Sequence, residues 1–103
     1  MPYGLSEETI EKICDVFSRH PSVEKVVLYG SRAKGNFKPG SDIDLTLYGT
    51  LLTTSELGSI AEELDDLLLP YKIDLSLFAR LNHAELTNHI ERVGVLFYQG
   101  SSS

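Results

Sequence analysis

The segment between two strand-like stretches places the tightest limit on what this chain can fold into. Val23 to Tyr29 is rich in β-branched and aromatic residues and reads as a strand that stops at Gly30. Asp42 to Tyr48 alternates, with Ile43, Leu45 and Leu47 on one face and Asp42, Asp44 and Thr46 on the other, and reads as a second strand. Only residues 30–41 join them, which is short for the full crossover that a parallel pair requires. The spacing therefore predicts a mixed rather than an all-parallel sheet.

The flanking segments supply the covering layers. Leu5, Ile10, Ile13, Cys14 and Phe17 follow helical spacing behind an N-cap at Ser6, giving a helix over residues 6–19 that Pro21 ends. A short helical turn is expected from Ser31 to Lys34, and Asn36 to Ser41, with Pro39 and Gly40, reads as a loop. Thr53 and Glu56 form a capping box ahead of an apolar stripe of Leu57, Ile60, Ala61, Leu64 and Leu68, a helix that Pro70 stops. Ile73, Leu75 and Leu77 alternate with Asp74 and Ser76 in a third strand. Asn82 with Glu85 is read as another capping box, before Leu86, Ile90 and Val93 at helical spacing and a stop at Gly94. Val95 to Tyr98 adds a short last strand. The order predicts an α/β fold, a small mixed sheet of three to four strands covered by helices. Residues 1–98 form a single domain in this reading, and residues 99–103 a disordered tail.

One constellation carries chemistry. Gly30-Ser31 is followed, after ten residues, by Asp42-Ile43-Asp44. Gly30 allows backbone to approach a phosphate, and Ser31 offers a hydroxyl and an N–H at the start of a helical turn. Asp42 and Asp44, two apart on a strand, point the same way and suit a hard cation such as magnesium, which takes one or two carboxylates plus phosphate oxygens and water. Asp74 lies on another strand, on the face away from Ile73, Leu75 and Leu77. If the two strands are neighbours, three aspartates converge, as two-metal phosphoryl or nucleotidyl transfer requires. Arg32 or Lys34 could offset charge on leaving pyrophosphate, with Lys38 in the same segment. Ser41 is a further nucleotide-binding candidate, or a cap for the loop. The loop lacks the Gly-Lys-Ser/Thr ending of a P-loop.

Charge and composition narrow the function. A net charge of -6 over 103 residues disfavours a general nucleic-acid-binding surface. No apolar run approaches a membrane span, and the N-terminus has no signal-peptide pattern, so a cytoplasmic location is expected. The single Cys14 makes neither an internal disulfide nor a cysteine-built zinc site and reads as core. His20, His83 and His89 lack mutual metal-ligand spacing and read as surface or capping residues. Glu62, Glu63, Asp65 and Asp66 read as a solvated helix face, and Tyr3, Tyr48, Tyr71 and Tyr98 as packing residues or interface anchors.

Gly30-Ser31, the Asp42-x-Asp44 pair and Asp74 in Lys72-Ile73-Asp74-Leu75 together resemble the minimal nucleotidyltransferase (MNT) family of the DNA polymerase β-like superfamily. The resemblance covers essentially the whole chain. It implies a palm fold, two Mg2+ ions held by Asp42, Asp44 and Asp74, and ATP as substrate. It also implies a helical HEPN-type toxin as partner, whose tyrosine receives AMP, making the chain an antitoxin of type VII-like character. The chain has no room for a second, acceptor-binding domain, so the acceptor is expected from another chain, in a homo-oligomer or heterocomplex. The alternative is a non-catalytic module that binds nucleotide or masks a toxin by contact.

Overall fold

The computed structural model describes residues 2–100. After a 3-10 turn at Pro2–Gly4, the elements run α1 (Glu7–Ser18), β1 (Lys25–Tyr29), α2 (Ser31–Lys34), β2 (Ile43–Tyr48), α3 (Thr54–Asp65), β3 (Ile73–Leu77), a 3-10 turn at Phe78–Arg80, α4 (Ala84–Val93) and β4 (Val95–Gln99). The four strands form one sheet in the order β3-β2-β1-β4. Strand β1 is antiparallel to both β2 and β4, whereas β2 and β3, joined through α3, run parallel. The short link after β1 thus has the consequence expected of it, an antiparallel turn-back within a mixed sheet.

Alternation along the strands divides the sheet into a closed and an open face. Val26 and Leu28 of β1, Ile43, Leu45 and Leu47 of β2, and Leu77 of β3 are buried in one cluster with Ile13, Val16 and Phe17 of α1 and Ile60 and Leu64 of α3. Helices α1 and α3 therefore cover this face, and burial of those side chains is the main driving force for the layer. The opposite face carries Tyr29, Asp44, Thr46, Asp74 and Ser76, and receives α4, whose end packs Gly94 close to Val27, and the Phe78–Arg80 turn, whose Phe78 stacks on Tyr48.

Local signals place most element ends. The Ser6 and Thr53 hydroxyls accept from Thr9 N–H and Glu56 N–H at 3.1 Å each, capping α1 and α3. Three expectations need correction. Helix α3 stops at Asp65 rather than running to Pro70: Leu68 adopts φ 54, outside the helix, and is 88% exposed instead of continuing the stripe. The cap of α4 is His83, whose Nδ1 accepts from Leu86 N–H at 3.2 Å, so Asn82 is not the cap; the helix simply begins one residue later. Gln99 belongs to β4, opposite Lys25, and Gly100 N–H donates to Glu24 O at 2.9 Å; the rest of the expected tail, residues 101–103, lies outside the described residues.

The two covering helices are joined by charge at one end. The imidazole of His20, 14% exposed, lies 2.9 Å from Glu56 Oε2 and 2.6 Å from Glu63 Oε2, and Arg19 adds a 3.2 Å contact to Glu63. The expectation of a surface role for His20 is met by a bridge, and Glu63 leaves the solvated acidic face to join it. Burial alone would lower the imidazole pKa, but hydrogen bonds and charge from Glu56 and Glu63 outweigh it and raise it above 6.5. The hydrogen bond from His20, with Arg19, holds the Glu63 carboxyl below its ordinary 4.5. A raised histidine contributes stability that is complete below its unfolded pKa and lost as pH rises through the folded value; a depressed glutamate loses its contribution as pH falls. The Tm difference between the unaltered protein and His20→Gln is therefore expected to be widest between the two ordinary values, 4.5 and 6.5, and to shrink on either side. Thermal unfolding across pH measures it, and a gap that grows steadily into the alkaline range contradicts the bridge.

Candidate active site

The site is built where β1 ends and β2 begins. Tyr29 and Asp44 are direct cross-strand partners, and on the other side of β2 the parallel register sets Asp44 opposite Asp74. The condition attached to Asp74, that its strand neighbour β2, is met. Asp42 lies just before β2 and is exposed, Asp44 is half-buried and Asp74 exposed. Burial, then the charges of Asp74 and Asp42, push the Asp44 carboxyl above the usual carboxylate range, with His89 acting against them. Two negative groups thus act on a third, Asp44, at one edge of the open face.

Gly30 is required here for two reasons. Its backbone is left-handed at φ 77, and a Cβ at this position would collide with the Asp44 carboxylate. The turn and the acid are therefore in contact by construction. Ser31 is half-buried at the first position of α2, and its carbonyl accepts from Gly35 and Asn36. Ser41 closes the following loop, its hydroxyl accepting from Lys38 N–H at 2.9 Å.

Arg32 has another use than the phosphate contact expected of it. Its side chain is 2% exposed; Nε and Nη2 donate to Ser41 O at 3.1 and 2.8 Å, and Nη1 donates to Tyr3 O at 2.8 Å. The guanidinium also lies over the Phe37 and Tyr71 rings, at 5.1 and 4.9 Å. A side chain so enclosed fastens the loop to the N-terminal turn and the residues before β3. Lys34 and Lys38 remain exposed.

Two residues of the site escape a reading of the sequence. His89 of α4, expected as a surface or capping residue, accepts from Gly30 N–H through Nε2 at 3.3 Å and stands edge-on to Tyr29. Its signal was its position between Leu86 and Ile90, on the flank of the buried stripe. Tyr29 presents its side chain beside the acids; burial, then the charges of Asp44 and Asp74, raise its pKa, with nearby Ser76 acting against them. Ser76 Oγ in turn donates to Thr46 Oγ1 at 2.9 Å, so hydroxyls line the face beneath the carboxylates.

Among the described residues, no three His, Cys, Asp or Glu side chains are gathered closely enough to hold an ion by themselves. The donor chemistry nevertheless suits a hard divalent cation: all three groups are carboxylates, Asp42 and Asp74 are exposed, and a cation of this kind takes the rest of its shell from phosphate oxygens and water.

A mixed four-stranded sheet covered by helices, with Asp44 and Asp74 paired on neighbouring strands, is consistent with the fold of polymerase β-like nucleotidyltransferases. Residues 11–103 match the polymerase beta nucleotidyltransferase family, and the chain belongs to it. No curated protein matches the chain by sequence. Among solved structures, the fold is similar to a toxin–antitoxin complex with AMP-PNP (TM-score 0.69, 22% identity, covering 95% of this chain and 76% of the other). It is also similar to the MntA–HepT toxin–antitoxin complex (0.67, 18%, 91% and 73%). A third is the complex of tri-AMPylated Shewanella oneidensis HEPN toxin with MNT antitoxin (0.67, 18%, 92% and 73%). No helix among the described residues is long and apolar enough to cross a membrane.

The two uses of Arg32 separate experimentally. Arg32→Ala is expected to cost roughly 2–3 kcal/mol of folding stability, the value of buried hydrogen bonds from a charged group. Denaturant unfolding measures it; an unchanged midpoint with weakened ATP binding would instead return Arg32 to the phosphate.

Proposed function

We propose that the chain is a magnesium-dependent nucleotidyltransferase that moves AMP from ATP to a tyrosine hydroxyl of a helical HEPN-type toxin, and so acts as its antitoxin. The observation that carries this reading is the direct register of Asp44 with Asp74, with the Gly30 turn pressed against Asp44. Family membership supports the reaction class. Structures of similar fold support the rest, since one holds AMP-PNP and another a tri-AMPylated HEPN toxin beside its MNT antitoxin.

In this reading Asp42 and Asp44 hold the cation that accompanies the triphosphate, and Asp74 completes a second position. Bound magnesium supplies positive charge to the triphosphate and makes the acceptor hydroxyl easier to deprotonate. Gly30 and Ser31 hold the phosphates, while Lys34 and Lys38 face the departing pyrophosphate. The tyrosine oxygen bonds to the α-phosphorus, the bond from that phosphorus to the bridging oxygen breaks, and pyrophosphate leaves. Asp74, more exposed than Asp44, is placed to take the hydroxyl proton. The acceptor approaches over the open face, where the Tyr48 ring stacks on Phe78 with centroids 4.5 Å apart and Lys25 lies over Tyr48.

Incubation with labelled ATP, magnesium and a HEPN-type partner protein is expected to label the partner. Asp44→Asn should abolish labelling without lowering Tm, because a carboxylate crowded by two others costs stability at neutral pH rather than adding to it. Neutralisation of the toxin by an Asp42→Asn protein that transfers no label would favour masking by contact over catalysis.

A further inference from the structure

Gly30 has no side chain to hold it, yet its conformation determines where the turn points. Three contacts fix it. Its carbonyl accepts from Lys34 N–H at 3.1 Å, within the turn itself, and the Asp44 carboxylate fills the space of the missing Cβ. The third contact comes from a distant part of the chain: the N–H donates to His89 Nε2 at 3.3 Å, across 59 residues of sequence. The imidazole is itself held, edge-on to Tyr29 with centroids 6.3 Å apart and on a helix anchored by the adjacent Ile90, 2% exposed.

We propose that His89 is a positioning residue for nucleotide binding: by holding the Gly30 N–H it sets the direction in which Gly30 and Ser31 meet the triphosphate. The inference rests on the nucleotide reading given above. A residue free to explore left- and right-handed backbone regions would otherwise have to be ordered when ligand binds, at a cost in affinity. With His89 in place that ordering is done beforehand. The His89–Gly30 contact makes α4 part of the site without touching substrate.

The test is calorimetric titration with AMP-PNP and magnesium, alongside thermal unfolding. His89→Phe keeps a ring against Tyr29 but removes the acceptor, and His89→Gln returns an acceptor oxygen. The phenylalanine variant is expected to bind about tenfold more weakly, beyond what any small drop in Tm accounts for, because the Gly30 backbone must then be ordered on binding, and the glutamine variant to recover most of it. Should His89→Phe fold poorly, His89→Leu removes the acceptor in its place. Equal or tighter binding without the acceptor, no recovery by glutamine, or a loss that merely follows Tm would each overturn the inference. Failure of the unaltered protein to bind AMP-PNP overturns the nucleotide reading itself, and this inference with it.

Discussion

The pairing of β2 with strands on both its sides is the constraint on which the rest depends. Antiparallel to β1 and parallel to β3, it brings Tyr29, Asp44 and Asp74 into one row across three strands. The same register sends Ile43, Leu45 and Leu47 into the layer under α1 and α3. Because strand side chains alternate, a slip of one residue would put the carboxylates into the core and the aliphatic residues into water. The hydrophobic layer and the acidic site therefore enforce each other's placement. Gly30 adds a steric lock at the end of the row, since only a residue without Cβ can sit against Asp44.

Most of this arrangement was legible in the sequence because it rests on short-range patterns. Alternation identified the faces of β2 and β3, hydroxyl caps located α1 and α3, and the short link after β1 led to a mixed sheet. The acids could be grouped because two of them lie two residues apart at the start of β2 and the third sits on another strand. What escaped depends on contacts between distant segments. His89 looks like any polar residue on the flank of an amphipathic helix until α4 is laid across the end of β1. Arg32 was read by its charge, whereas its role follows from two carbonyls and two rings drawn from separate parts of the chain. Leu68 fits the helical period of α3, but the backbone had already turned at Asp65.

Positive charge in the Gly30–Ser41 segment divides into two roles. The enclosed guanidinium builds the loop, and the exposed Lys34 and Lys38 remain at its surface. The division is consistent with the chemistry of the two side chains: a planar guanidinium serves fixed carbonyls and aromatic faces well, while a flexible ammonium can follow a mobile anion. The negative charge behaves differently. Asp42 and Asp74 both act on Asp44 at the edge of the open face, and Arg32, the buried cation among the described residues, is turned to carbonyls instead.

The hydrogen bonds of Arg32 also have a mechanical meaning. Through Nη1 the guanidinium grips the carbonyl of Tyr3, and through Nε and Nη2 it grips that of Ser41, the residue immediately before Asp42. The Pro2–Gly4 turn and the first carboxylate, far apart along the chain, are thus ends of a single stiff strut. One side chain therefore gives the N-terminal turn a fixed relation to the edge of the acidic row, although the two lie far apart in sequence.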